Sequence, residues 1–141
     1  MIAAVLGGAK GGIDELVEIS RKTPVRLLFA IDDIAAEYPG RVDYFVTLHP
    51  EKLPQWLERR RSLGLSEPGA VVAHDKREHV TEVVDYHWLG TEGSGSSGLY
   101  AAKVALERTN LPVVLCGVPM NSDLPTSLSR TIYLLTPPSG E

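Results

Sequence analysis

Short apolar runs separated by segments of helical period set the rhythm of this chain. Ile2-Ala3-Ala4-Val5-Leu6 is apolar without alternation and stops at Gly7-Gly8, as a strand buried on both faces does. Ile13, Leu16, Val17 and Ile19 then recur at near-helical spacing as far as Thr23-Pro24, where proline cannot continue a helix. Val25 to Ile31 reads as a second strand with Asp32-Asp33 at its carboxyl end, and Ile34 to Tyr38 as a short helix or turn closed by Pro39-Gly40. Val42 to Leu48 is a third strand leading to His49-Pro50. From Pro50 to Leu63 the period is helical again, with Leu53, Trp56 and Leu57 on one side and Gly64 as the stop.

Ala70 to Ala73 and Val83 to Leu89 predict a fourth and a fifth strand. A glycine-serine stretch, Gly90 to Gly98, then runs into the alanine-rich helix that opens with Leu99-Tyr100. Val113 to Cys116 is a sixth strand, and Thr131 to Leu135 a seventh at an edge. Strands alternating with helices need crossover connections, which make a parallel sheet covered on both faces. The pattern predicts a single α/β domain over residues 1–141, three-layered, with a mostly parallel sheet. In such sheets ligands bind beyond the carboxyl ends of the strands, where the strand order reverses. Gly7, Gly8, Asp32, Asp33, His49, His74, Asp75, Gly117 and Met120 all fall at those ends.

Composition narrows the field. The chain has 141 residues, 43% hydrophobic and 23% charged, with a net charge of −4; this suits a folded protein and gives a nucleic acid no basic face. The densest positive spot, Arg59-Arg60-Arg61, cannot share one helical face and reads as solvated surface ahead of a phosphate clamp, with a local phosphate contact by one of the three left open. Cys116, the only cysteine, sits in an apolar strand as a small hydrophobe. No window is long enough to span a membrane, and Met1 to Leu6 lacks a basic leader. A cytoplasmic protein is expected. The apolar edge strand, with Ile132, Tyr133, Leu134 and Leu135, would gain from cover by a second copy of the chain.

Two glycine-rich turns carry the candidate chemistry. Gly7-Gly8-Ala9-Lys10-Gly11-Gly12 follows a strand and precedes a helix, the context of a phosphate turn. Ala9 stands where a dinucleotide fingerprint has its middle glycine, and no Gly-Lys-Ser/Thr follows. The glycines of a tight strand-to-helix connection give the same pattern. Asp32 or Asp33 stands about where an acid would meet a ribose. In the second turn, Ser94, Ser96, Ser97 and Gly98 precede a helix whose first N–H groups attract anions. Ser96 or Ser97 equally serves as a helix cap. A flexible linker is the other use of such a run, but regular structure is predicted within a few residues on both sides. A serine nucleophile is disfavoured, because Gly95 takes the serine's place in one frame of the elbow motif and Leu99 the last glycine's place in the other.

His49, after a strand and beside the expected cleft, is the candidate general base, or else a local cap. His87 lies within a strand and reads as packed. His74 and His79 flank Asp75 to Glu78 in an exposed loop, at no zinc-ligand spacing; no metal site is expected.

The strand ending in glycines, the acidic turn after strand two, Ser97-Gly98-Leu99-Tyr100 opening its helix, and Val114-Leu115-Cys116-Gly117-Val118 together resemble two groups. One is the bacterial CMP-sialic-acid-dependent sialyltransferases; the other is the archaeal 6-hydroxymethylpterin pyrophosphokinases and their relatives. Thr47-Leu48-His49-Pro50-Glu51-Lys52 also resembles small phage and prophage proteins. The resemblance implies a Rossmann-like core with a nucleotide cleft. The sialyltransferases carry an asparagine and a Gly-Pro-Ser after strand one, where this chain has Gly8, Ala9, Lys10 and Gly11. The expected ligand is a nucleotide or nucleotide-sugar, bound by Gly7, Gly8, Gly12, Asp32, Asp33, Ser94, Ser96, Ser97 and Gly98, with group transfer as the reaction and no cofactor named. Two other readings stand beside it: a non-enzymatic, degenerate Rossmann-like phage accessory or assembly protein, and a nicotinamide-dependent oxidoreductase.

Overall fold

The sheet is organised around its first strand, β1 (Ile2–Leu6), every residue of which is buried. The computed structural model describes residues 1–74, 84–87, 97–119 and 133–135. After β1 come α1 (Gly12–Lys22), β2 (Val25–Ile31), α2 (Asp32–Glu37) and β3 (Tyr44–Thr47). A 3₁₀ turn (Pro50–Lys52) leads into α3 (Leu53–Ser62), followed by β4 (Ala70–Ala73) and β5 (Tyr86–His87). Then come α4 (Ser97–Arg108), β6 (Val113–Cys116) and β7 (Tyr133–Leu135). The order across the sheet is β5-β4-β3-β2-β1-β6-β7. All neighbouring pairs are parallel except β6 and β7, so the chain has the mostly parallel α/β fold its periodicity predicts, of Rossmann-like form. The strand order reverses between β1 and β6.

Alternation along the strands divides the core into two layers. Ile2, Ala4 and Leu6 face α1, α2 and α3, packing with Leu16, Ala35, Ala36, Leu53, Trp56 and Leu57. Ala3 and Val5 face α4 and pack with Tyr100, Ala101, Val104 and Ala105. The small residues of α4 let that helix lie close over the middle of the sheet, touching β1, β2, β3 and β6. At its far end Arg108 lies over the rings of Tyr44 and Tyr86, 5.6 and 4.1 Å from their centroids. That contact ties the helix to β3 and β5.

Local details depart from the sequence expectation in three places. The third strand is shorter than Val42–Leu48, because Asp43 turns to bond Leu28 N–H at 2.8 Å and Arg41 at 3.1 Å. The short helix begins at Asp32, ahead of Ile34, with Asp32 in the left-handed region at φ 46°. Of the predicted fifth strand, Tyr86–His87 is strand, while residues 83, 88 and 89 lie outside the described residues, as do Thr131 and Ile132 of the seventh. Among the described residues no helix is long and apolar enough to cross a membrane.

The arginine triplet needs a larger correction. Arg60 is not solvated surface; it is fully buried. It continues the apolar stripe of α3 one turn beyond Trp56, so its guanidinium enters the gap between α3 and α2. There Nη1 donates to the carbonyls of Ala35 and Tyr38 at 3.1 and 2.6 Å, Nη2 to Gly40 at 2.9 Å, and Nε to Ser66. A cation suits this position, since α2 ends there and presents unpaired carbonyls. Burial lowers the guanidinium's pKa, with Glu67 opposing the shift, but an arginine stays charged. Arg59 and Arg61 do face outward, paired with Glu37 and Glu67. Trp56, one turn before Arg60, donates its indole N–H to Asp33 at 2.6 Å. One face of α3 thus holds both ends of α2, a helix too short to persist by itself.

Arg60→Leu should leave those carbonyls without donors and cost about 3–5 kcal/mol. Urea unfolding followed by circular dichroism checks this, and Arg60→Lys, which cannot reproduce the fork, should recover only part of the loss.

Candidate functional site

The carboxyl ends of β1, β2, β3 and β4 lie side by side along one edge of the sheet, and most of the sequence-predicted site residues are there. The structure describes two separate arrangements on this edge, one around the first glycine turn and one around Asp32.

The glycine turn packs into the chain reversal after β6. Gly7 N–H donates to Cys116 O at 2.8 Å and Ala9 N–H to Gly117 O at 3.0 Å. A Cβ on Gly7 would stand 2.5 Å from Gly117 O, and one on Gly12 would stand 2.9 Å from Gly117 Cα. Gly117 itself has φ 66°. These three glycines let two backbones touch at the point where the strand order reverses. Glu15 closes the seam from α1, its carboxyl accepting the Gly117 N–H. Burial raises the Glu15 pKa, the Gly117 bond lowers it and Glu18 raises it again, with a net rise. Outside the seam an open pocket of about 230 Å³ is lined by Gly7, Gly8, Ala9, Gly11 and Gly12, with Ile13, Asp14 and Ile34. A side chain at Gly8 would meet nothing within 4 Å. No side chain caps the start of α1 beside this pocket.

Asp32 gathers the second arrangement. Its Oδ1 accepts the Thr47 hydroxyl at 2.7 Å, and the Ser97 hydroxyl bonds the same carboxyl. Each hydroxyl also accepts a backbone N–H from the turn after β3: His49 N–H to Thr47 Oγ1 at 2.8 Å, and Leu48 N–H to Ser97 Oγ at 3.1 Å. Two matched relays therefore run from the turn, through a hydroxyl, into one carboxylate. Thr47 and Ser97 are buried. Burial raises the Asp32 pKa; the bonds from Thr47 and Ser97 and the charge of His49 lower it, Asp33 raises it, and the net shift is upward. A left-handed aspartate with a desolvated carboxyl stores backbone and electrostatic strain of the kind concentrated at functional positions.

The other expected residues separate around this pair. Asp33, next in sequence, turns to the opposite layer and its carboxylate takes the Trp56 indole N–H. Gly98 is buried, and a Cβ there would stand 2.7 Å from Val118 Cγ1. As far as it is described, the start of α4 faces Asp32, Leu48 and Val118, and its serine is bonded within the chain. Ser94 and Ser96 lie outside the described residues, as do Asp75, His79 and Met120 and the side chain of His87. His49 stands at the rim, its side chain 47% exposed, with Nδ1 3.6 Å from Glu51 Oε2. Cys116 is buried with its pKa pushed up to about 12 by burial and the Glu15 charge, so its thiol is no nucleophile.

Thr47 and Glu15 were not among the expected site residues. Thr47 is the lone hydroxyl closing an apolar strand, a signal present in the sequence; nothing there distinguishes Glu15 from the other acids of α1. No protein-family model matches the chain, and no curated protein or solved structure matches it significantly.

The raised Asp32 pKa fixes the sign of a pH effect. The folded state holds its proton more tightly than the unfolded state, so this stabilisation is complete below the ordinary value of 3.8 and is lost as pH rises through the folded-state value. Asp32→Asn, which tolerates the left-handed backbone, should therefore gain stability relative to the parent as pH rises through that window. Urea midpoints measured from pH 4 to 7 on both proteins check it; a constant difference would deny the shift.

Proposed function

We propose that this protein binds a nucleotide or nucleotide-sugar across the carboxyl ends of β1 to β4. The observation that carries the reading is Asp32, an acid kept in a left-handed conformation and partly out of water at the end of β2, one strand from a glycine turn that borders an open pocket. A protein does not maintain such a residue for packing alone when asparagine or glycine would relax it. In this reading the phosphates lie against Gly8, Gly11 and the uncapped start of α1, and the sugar lies over Asp32. That moves the phosphate from the start of α4, where Ser97 and Gly98 are buried, to the start of α1, where the pocket is. Asp14 on the pocket wall limits the charge it will accept and favours a monophosphate or a sugar-linked phosphate.

The proposal extends to group transfer, with His49 as the base: it is solvent-accessible at the rim and paired with Glu51. The resemblance of Ser97-Gly98-Leu99-Tyr100 to the sialyltransferases makes CMP the first ligand to try.

Thermal unfolding with CMP, UDP, ATP and NAD tests the reading. A nucleotide present at about 100 times its Kd should stabilise the fold by about 2.7 kcal/mol, a rise in Tm of roughly 5–10 °C. Gly8→Ala adds a methyl to the pocket without a clash, and should fold normally while weakening that nucleotide about tenfold. No rise with any of the four defeats the proposal.

A further inference from the structure

His74 follows β4 at the same edge of the sheet. Its Nδ1 is buried and has no hydrogen-bond partner among the described residues. Its backbone N–H approaches Thr47 O at 3.4 Å, and its ring meets the fully buried Tyr100 edge-on, the centroids 6.4 Å apart at 69°. Buried polar atoms in native proteins are nearly always paired, and leaving one unpaired is costly. The neighbours of this nitrogen are elements that build the proposed site: Ala73, just before it, is in register with Thr47, the hydroxyl donor to Asp32, and Tyr100 belongs to the helix that begins at Ser97.

Building on the nucleotide-binding reading, we propose that His74 reads the base of the bound nucleotide, its Nδ1 sharing a hydrogen bond with a neutral polar atom on the heterocycle's edge. The Asp32 carboxylate, fixed by the adjacent Thr47, repels an anion at this end of the edge and so selects a base over a phosphate here. The order of strands supplies the span. His74 lies three strands from the glycine turn, about 14 Å between backbones at the usual strand spacing, which leaves room for a nucleotide lying between them.

Calorimetric titration of the full chain with CMP, UDP and ATP, each beside ribose 5-phosphate, tests this. In His74→Leu the nucleotide that binds the parent protein should weaken about tenfold, the worth of one hydrogen bond, while ribose 5-phosphate is unaffected. His74→Asn, whose amide falls near the place of Nδ1, should restore most of the affinity. Without ligand, His74→Leu should unfold at a temperature no lower than the parent, because Nδ1 has no hydrogen bond among the described residues to lose. Full nucleotide affinity in His74→Leu overturns the proposal. So does an equal loss for both ligands, or a lowered unfolding temperature, either of which makes His74 structural. Failure of the parent protein to bind any nucleotide defeats the underlying reading as well, and the parent titration alone reveals it.

Discussion

A single buried guanidinium holds the helix that carries Asp32 in place. Arg60 reaches from α3 and gathers the carbonyls of Ala35, Tyr38, Gly40 and Ser66, groups that would otherwise be buried without donors. Among the described residues it has no buried carboxylate beside it. Its charge is offset by carbonyl dipoles at the end of α2, an arrangement that only arginine's planar fork satisfies. With Trp56 holding Asp33 at the other end, α2 is fixed along its whole length. Asp32 is its first residue, so the left-handed aspartate inherits its position from a clamp on the opposite layer of the molecule.

Once placed, Asp32 organises its surroundings through hydroxyls. Thr47 and Ser97 come from segments far apart in sequence, yet both donate to it while accepting N–H groups from the turn after β3. This joins the ends of β2, β3 and α4 through one charge and leaves His49 at the rim. The glycine seam does the same at the middle of the sheet by different means. There contact between backbones, made possible by missing side chains, locks the turn after β1 to the reversal after β6. A sheet edge built from a hydrogen-bonded half and a close-packed half is rigid without being filled.

Much of the architecture was readable from periodicity, because buried parallel strands are uninterrupted apolar runs and the helices between them keep a regular stripe. The arginine triplet shows how that stripe can be underused. Leu53, Trp56 and Leu57 define a face whose next position is residue 60, yet three adjacent arginines invite a surface reading. Only the carbonyls waiting at the end of α2, supplied by tertiary structure, make burial of that charge favourable. The glycines at 7, 12 and 98 were legible as special, but a sequence cannot distinguish close approach to a ligand from close approach to Gly117 or Val118. Asp32 and Asp33 were likewise inseparable as neighbours; the left-handed turn sends one to the hydroxyls and the other to an indole. The Thr47 hydroxyl is an ambiguous signal, because a threonine ending a strand has many ordinary explanations.

The position of β1 also shapes how the chain must be assembled. Ala3 lies between Leu27, delivered soon after it, and Val113, delivered near the end of the described core. During synthesis the half-sheet running from β1 towards β4 is able to form while the other side of β1 still waits for its neighbour. Until the ribosome has released Val113 to Cys116, a wholly apolar strand offers a row of unpaired amides to any passing strand. Late closure of a central slot leaves nascent chains of this design open to misassembly, and it sets pairing across that slot, the widest sequence separation of any described strand pair, as the entropic bottleneck of folding.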